Sequence, residues 1–155
     1  MESVHPYLFF NGNAREAIGF YSDVFGVEPF GIVDFAAFAD QEMELSEEDL
    51  GKVAHSSIPL TDDVTLMLSD VAGEYVDRYA VGSNAYVYLE VESEEEADRL
   101  FAALSDGGSV EMPLMETEWA DKYGSLVDKY GQGWMVGYTG DAEFDYDEMD
   151  DEDEA

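Results

Sequence analysis

Two helix-like segments 80 residues apart carry the same signals in the same order, which restricts the chain to architectures made of two like halves. Asn13 and Glu16 have the N-cap to N3 spacing of a capping box, and so do Ser93 and Glu96. After the first cap, Ala14, Ala17, Ile18, Tyr21, Val24 and Phe25 recur at helical spacing; after the second, Ala97, Leu100, Phe101 and Leu104 do the same. The 80-residue shift sets Glu16 on Glu96, Ala17 on Ala97, Phe20 on Leu100, Tyr21 on Phe101 and Val24 on Leu104. Gly26 and the pair Gly107-Gly108 can each take the left-handed backbone that ends a helix.

The flanking segments repeat as well. An aromatic-rich stretch at 3–10, in which Pro6 favours a first or edge strand, precedes the first helix. Residues 27–38 read as a strand bent at Gly31, 39–51 as a polar loop, and 52–60 and 64–70 as strands joined through Asp62-Asp63. In the second half, 84–91 reads as the strand before the helix, and 109–115, 123–128 and 133–138 as three strands after it. The order strand, helix, three strands therefore occurs twice, which predicts an α+β fold of tandem βαβββ modules. Module 1 is expected at about 1–70 and module 2 at about 83–140, together one domain over 1–140.

With 155 residues, 46% of them hydrophobic, the chain has material for a proper core. It carries no cysteine, which removes thiolate nucleophiles, Cys-based zinc sites and disulfides. Acidic residues number 38 against 6 basic ones, a formal charge of −32. Ten of the acids crowd into 141–154, so 141–155 is expected to be an acidic, disordered tail. Such a field repels phosphate backbones and anionic membranes, and the six scattered bases form no stripe, so neither nucleic acid nor membrane is an expected partner. The same surface suits a salt-rich, halophilic cytoplasm, where self-repulsion is screened within about 3 Å at 1 M salt. No apolar run is long enough for a membrane span and the start, MESVHPY, lacks signal-peptide character, so a cytoplasmic location is expected.

Candidate chemistry is sparse. His5 and His55 are the two histidines, each readable either as a hydrogen-bonded strand residue or as a general base. Asn11-Gly12-Asn13 reads as turn chemistry with a weak phosphate-cradle alternative, and no Gly-rich nucleotide loop of the kind a methyl-donor site uses is present. Met67, Tyr86, Tyr88 and Met135 suit either an adaptable apolar cavity or plain core, and Trp119 is placed to pack at the mouth of a sheet.

Three stretches carry a resemblance to a known family: PYLFFNGNAREAIGFYSDVFG at 6–26, HSSIPLTDDVTLMLSD at 55–70 and MPLMETEWADKYGSLVDKYGQGWMVGY at 112–138. With these the chain resembles the vicinal oxygen chelate superfamily of glyoxalase I, bleomycin-resistance proteins and extradiol dioxygenases, within it the PhnB-like branch. The resemblance implies a curved glyoxalase/bleomycin-resistance-type sheet with outer helices and a ligand cavity inside the curve. It also implies metal-ligand positions at or beside His5, at Met67, at Ala85 or Tyr86, and at Met135. Thioether sulfur is too soft a donor for magnesium, zinc or ferrous iron, so no metal and no cofactor are expected. The expected function is binding of a small molecule in a pocket of Tyr7, Phe9, Met67, Tyr86, Tyr88, Trp119 and Met135, within a homodimer. The alternative is a glyoxalase-like lyase or isomerase with His5 or His55 as base.

Overall fold

In the computed structural model the described residues are 1–39 and 44–143, and they divide into two compact units, one up to Val81 and one from Gly82 onward. The first unit opens with strand β1 (Tyr7–Phe10), helix α1 (Ala14–Phe25) and strand β2 (Ile32–Asp34). A short helix α2 (Glu47–Leu50) and strands β3 (Val53–Pro59) and β4 (Thr65–Asp70) follow. Its sheet runs in the order β1-β4-β3-β2, with β1 parallel to β4 and the other pairs antiparallel. The second unit contains β5 (Tyr86–Glu90), helix α3 (Glu94–Ser105), β6 (Ser109–Met115), β7 (Lys122–Val127) and β8 (Gly133–Tyr138). Its order is β5-β8-β7-β6, again with a parallel outer pair, β5 on β8. The βαβββ plan is thus present twice.

Each helix covers one face of its own sheet because its apolar stripe meets every second residue of the strands. Ala14, Ala17, Ile18, Tyr21 and Val24 of α1 are buried, as are Phe10, Ile58, Leu66 and Leu68 of the strands. In the second unit Ala97, Leu100, Phe101 and Leu104 of α3 are buried together with Leu126, Trp134 and Val136. Burial of a Leu or Ile side chain contributes about 1.5–3 kcal/mol, so these paired stripes are the main support of each unit.

Four local expectations are corrected. Asn13 has no side-chain cap hydrogen bond; the buried Asp70 at the end of β4 takes that role, its Oδ1 accepting from Gly12 N at 2.7 Å and Ala14 N at 3.0 Å. The expected strand at 27–38 is regular only over Ile32–Asp34 and then turns into a 3-10 helix, Phe35–Phe38. The reason lies in the partner: the register shifts between Val33 and Asp34, and once Phe35 N has donated to Lys52 O, β3 offers no further edge. Within the expected loop at 39–51, Ser46 Oγ accepts from Asp49 N and starts α2; residues 40–43 lie outside the described residues. The expected strand at 3–10 is regular only over Tyr7–Phe10. By contrast, Ser93 Oγ accepts from Glu96 N at 3.1 Å, the first half of the capping box, while the Glu96 carboxylate returns to Glu92 N, and Gly26 takes the left-handed stop at φ 66°. Of the expected acidic tail, residues 144–155 lie outside the described residues.

Candidate functional site

The face of each sheet opposite its helix carries the polar and aromatic chemistry. In the first unit the register aligns Tyr7 of β1, Met67 of β4 and Ser57 of β3 in one row. Two residues along on the same face stand Phe9 and His55, with Val33 of β2 beside His55. Tyr7 and Phe9 are 38% and 56% exposed and their rings stack at 4.9 Å, so an apolar aromatic surface is held open to solvent. The Tyr7 hydroxyl and His55 Nδ1 are 3.0 Å apart, a phenol–imidazole pair joining β1 to β3 across β4.

The second unit repeats this row with different endings. Tyr88 of β5, Met135 of β8 and Ser125 of β7 are aligned as Tyr7, Met67 and Ser57 are. Glu90 then occupies the place of Phe9, and Tyr123 the place of His55. The Tyr88 hydroxyl donates to Glu90 Oε2 at 2.5 Å, and Glu90 Oε1 accepts from Thr139 N at 2.8 Å. Tyr86 donates to Glu111 Oε1 at 2.6 Å. Two glycines of β8 make room for these phenols: a Cβ on Gly133 would lie 2.8 Å from the Tyr86 ring, and one on Gly137 would lie 2.2 Å from the Tyr88 hydroxyl. Both rings can therefore lie flat over β8.

These contacts set the protonation chemistry. Burial, and then the Glu90 carboxylate that accepts its proton, push the Tyr88 phenol well above the usual phenol range. Tyr86 is raised first by its hydrogen bond to Glu111 and then by burial. For Glu90, burial alone would raise the carboxyl, but the hydrogen bonds from Thr139 and Tyr88 outweigh it and hold the group below its ordinary value. The second face thus holds two protonated phenols on acidic partners.

Sequence reasoning named Tyr7, Phe9, Met67 and His55, which the first unit brings to one face, and Tyr86, Tyr88 and Met135, which the second does. Trp119 meets Tyr123 edge-on at 5.4 Å. His5 stands apart from His55: its Nδ1 accepts from Thr65 N at 3.0 Å, so the neutral ring carries its proton on Nε2, 2.9 Å from Ser3 Oγ. Both ring nitrogens are occupied in holding the start of β1. Glu90, Glu111, Tyr123 and the serine pair were missed. The signal for Glu90 was available, because it lies two residues after Tyr88 and so shares its face; Tyr123 and Glu111 depend on register, which a single sequence does not display.

The four positions that the resemblance implies for metal ligands do not fit a hard or borderline divalent cation. His5 has committed both nitrogens, Met67 and Met135 offer thioethers, and the Tyr86 phenol keeps its proton toward Glu111. The Met135 sulfur itself lies 3.8 Å from the Tyr123 hydroxyl. Among the described residues, no group of three or more His, Asp or Glu side chains is gathered as a metal would need.

A family model described as 3-demethylubiquinone-9 3-methyltransferase matches residues 2–137. Among solved structures, protein PA1353 from Pseudomonas aeruginosa is 34% identical, with a TM-score of 0.75 over 90% of this chain and 98% of that one. The PhnB protein from Bacillus cereus is 28% identical, with a TM-score of 0.67 over 87% of this chain and 98% of its own. A glyoxalase/bleomycin resistance protein/dioxygenase family enzyme from Burkholderia phytofirmans PsJN is 13% identical at a TM-score of 0.59, covering 88% of this chain and 97% of its own, a likeness of fold alone.

Proposed function

Because the chain belongs to the PhnB-like 3-demethylubiquinone-9 3-methyltransferase family, in the glyoxalase/bleomycin resistance superfamily, we propose that it binds a small aromatic or amphipathic molecule on its open sheet faces without a metal. The observation that carries this reading is the pair of matched rows, Tyr7-Met67-Ser57 and Tyr88-Met135-Ser125, turned away from the helices. Rings and thioethers supply adaptable apolar contact, while phenol and serine hydroxyls supply orientation, the composition typical of ligand cavities. A phosphorylated ligand is disfavoured, since no cluster of Arg or Lys lies on either row to meet phosphate charge.

The family's description names methyl transfer. An aromatic acceptor of that kind agrees with the rows above. A nucleotide methyl donor finds little support at the Asn11-Gly12-Asn13 turn, because Gly12 N and Ala14 N already donate to Asp70. A second reading, a metal-independent isomerase or lyase, is favoured by the 3.0 Å Tyr7–His55 pair, which offers an acid and a base on one face. His5 does not share in it.

The test is a thermal-shift screen of metabolites at high salt, since whatever binds the native state raises its apparent stability. Met67→Trp and Met135→Trp are expected to abolish any binding found by filling the rows with an indole. If binding survives both substitutions, the ligand sits elsewhere. Turnover of a screened compound that is lost in His55→Ala would establish the second reading in place of the first.

A further inference from the structure

The two open faces are built on one plan, yet they differ at two matched positions: Phe9 and His55 in the first unit stand where Glu90 and Tyr123 stand in the second. The exchange turns an apolar surface into an aromatic corner with a fixed negative charge. Trp119 and Tyr123 meet nearly at right angles, 79°, at 5.4 Å, and Tyr88 stands 6.5 Å from Tyr123. Tyr88 and Trp119 are 47% and 44% exposed, so two of these rings are open to a ligand. Glu90 is held at the edge of this corner by Tyr88 and Thr139, and among the described residues it forms no ion pair; its partners are a phenol and a backbone amide.

From this arrangement we infer that the second unit carries a subsite for a small organic cation, an amine or quaternary ammonium, walled by Tyr88, Tyr123 and Trp119 and neutralised by Glu90. The faces of Trp and Tyr rings attract a cation through their quadrupoles, most strongly where water is partly excluded. The carboxylate supplies the counter-charge, and the chain's net charge of −32 raises the local concentration of any cation. The hydrogen bonds that hold Glu90 below its ordinary value keep it ionised at neutral pH. The first unit, with Phe9 and His55 at the matching places, lacks that counter-charge. The inference rests on the proposed small-molecule binding and assigns its ligand a positively charged end.

The experiment uses the full chain in about 1 M salt, where screening within about 3 Å removes non-specific attraction to the acidic surface. Benzyltrimethylammonium, benzyl alcohol and phenylacetate are titrated by calorimetry, with tryptophan fluorescence, to which Trp119 and Trp134 both contribute, as a second readout. Benzyltrimethylammonium is expected to bind, benzyl alcohol to bind about tenfold more weakly, and phenylacetate not at all. Glu90→Gln, which keeps an acceptor for Thr139, and Trp119→Leu, at an exposed position, are each expected to weaken the ammonium about five- to tenfold. Phe30→Ala, at an exposed first-unit position outside both rows, is expected to leave it unchanged. Unchanged affinity in Trp119→Leu or Glu90→Gln overturns the subsite, and the exposed Trp119 variant decides alone if the Glu90 variant fails to fold. Equal binding of benzyl alcohol and ammonium, lost in Met135→Trp, overturns the cation subsite while leaving the broader binding reading intact. Failure of all three probes together with an empty metabolite screen overturns both.

Discussion

Asp70 shows how one residue can hold several elements together. Its two oxygens accept from Gly12 N, Ala14 N and Val53 N, joining the end of β4 to the start of α1 and the start of β3. Asp128 does related work in the second unit, accepting from Tyr130 N, Gln132 N and the Trp134 indole. Removing such a carboxylate leaves buried donors unpaired, which costs about 1–3 kcal/mol per group. Asp70→Ala is therefore expected to lower unfolding free energy by about 3–5 kcal/mol, and Asp70→Asn by less, as measured in denaturant. Tyr88 yields a second outcome at this scale. Its raised phenol keeps its proton after the ordinary tyrosines have lost theirs, as do those of Tyr86 and Tyr79, so ultraviolet titration should show a late-ionising group of tyrosines, and Glu90→Gln should move one of them down.

At the scale of elements, the Ser93 cap of α3 and the node around α2 are the separable supports. Ser93→Ala removes the acceptor for Glu96 N and is expected to cost about 1 kcal/mol in the same unfolding measurement. Lys52 Nζ lies 2.8 Å from Asp49 Oδ1 and also donates to Asn11 Oδ1 and Val71 O, while Asp49 Oδ2 accepts from Gly73 N. The node thus ties α2 and the start of β3 to the turn before α1 and to the chain leaving β4. The Lys52 ammonium first, and the Gly73 amide after it, hold the Asp49 carboxyl below its ordinary 3.8. As pH falls, the unfolded chain takes up this proton before the folded one does. The stability the node contributes is accordingly complete above the ordinary carboxylate range and lost as pH drops through the lowered folded value. Wild type should exceed Asp49→Asn in melting temperature at pH 7, with the difference vanishing once pH has fallen through the lowered folded value.

For the whole molecule, charge and edges dominate. Self-repulsion at −32 should make low ionic strength destabilising, so the melting temperature should climb with potassium chloride until screening saturates near 1 M. A flat curve would remove the argument for salt adaptation. Each four-stranded sheet ends in two edge strands and turns one aromatic face away from its helix, features that pairing of two chains can cover. A homodimer is the proposed assembly, and light scattering should give twice the chain mass, unchanged in Met67→Trp and Met135→Trp. No helix among the described residues is long and apolar enough to cross a membrane.

By itself the sequence determined the repeated βαβββ order, because apolar periodicity, caps and glycine stops are local signals that each segment carries whole. The helices Ala14–Phe25 and Glu94–Ser105 and the strands of the second half lie where periodicity placed them, within a residue or two. Tertiary structure alone decided which strand borders which, and with it the rows Tyr7-Met67-Ser57 and Tyr88-Met135-Ser125. It also replaced the local cap Asn13 by Asp70, 56 residues from Ala14 in sequence, and cut the strand at 27–38 short where its partner ended. The physical reason is the same in each case: a strand edge or an unpaired amide is satisfied by whatever donor or acceptor the fold brings within about 3 Å, and sequence distance has no bearing on that encounter.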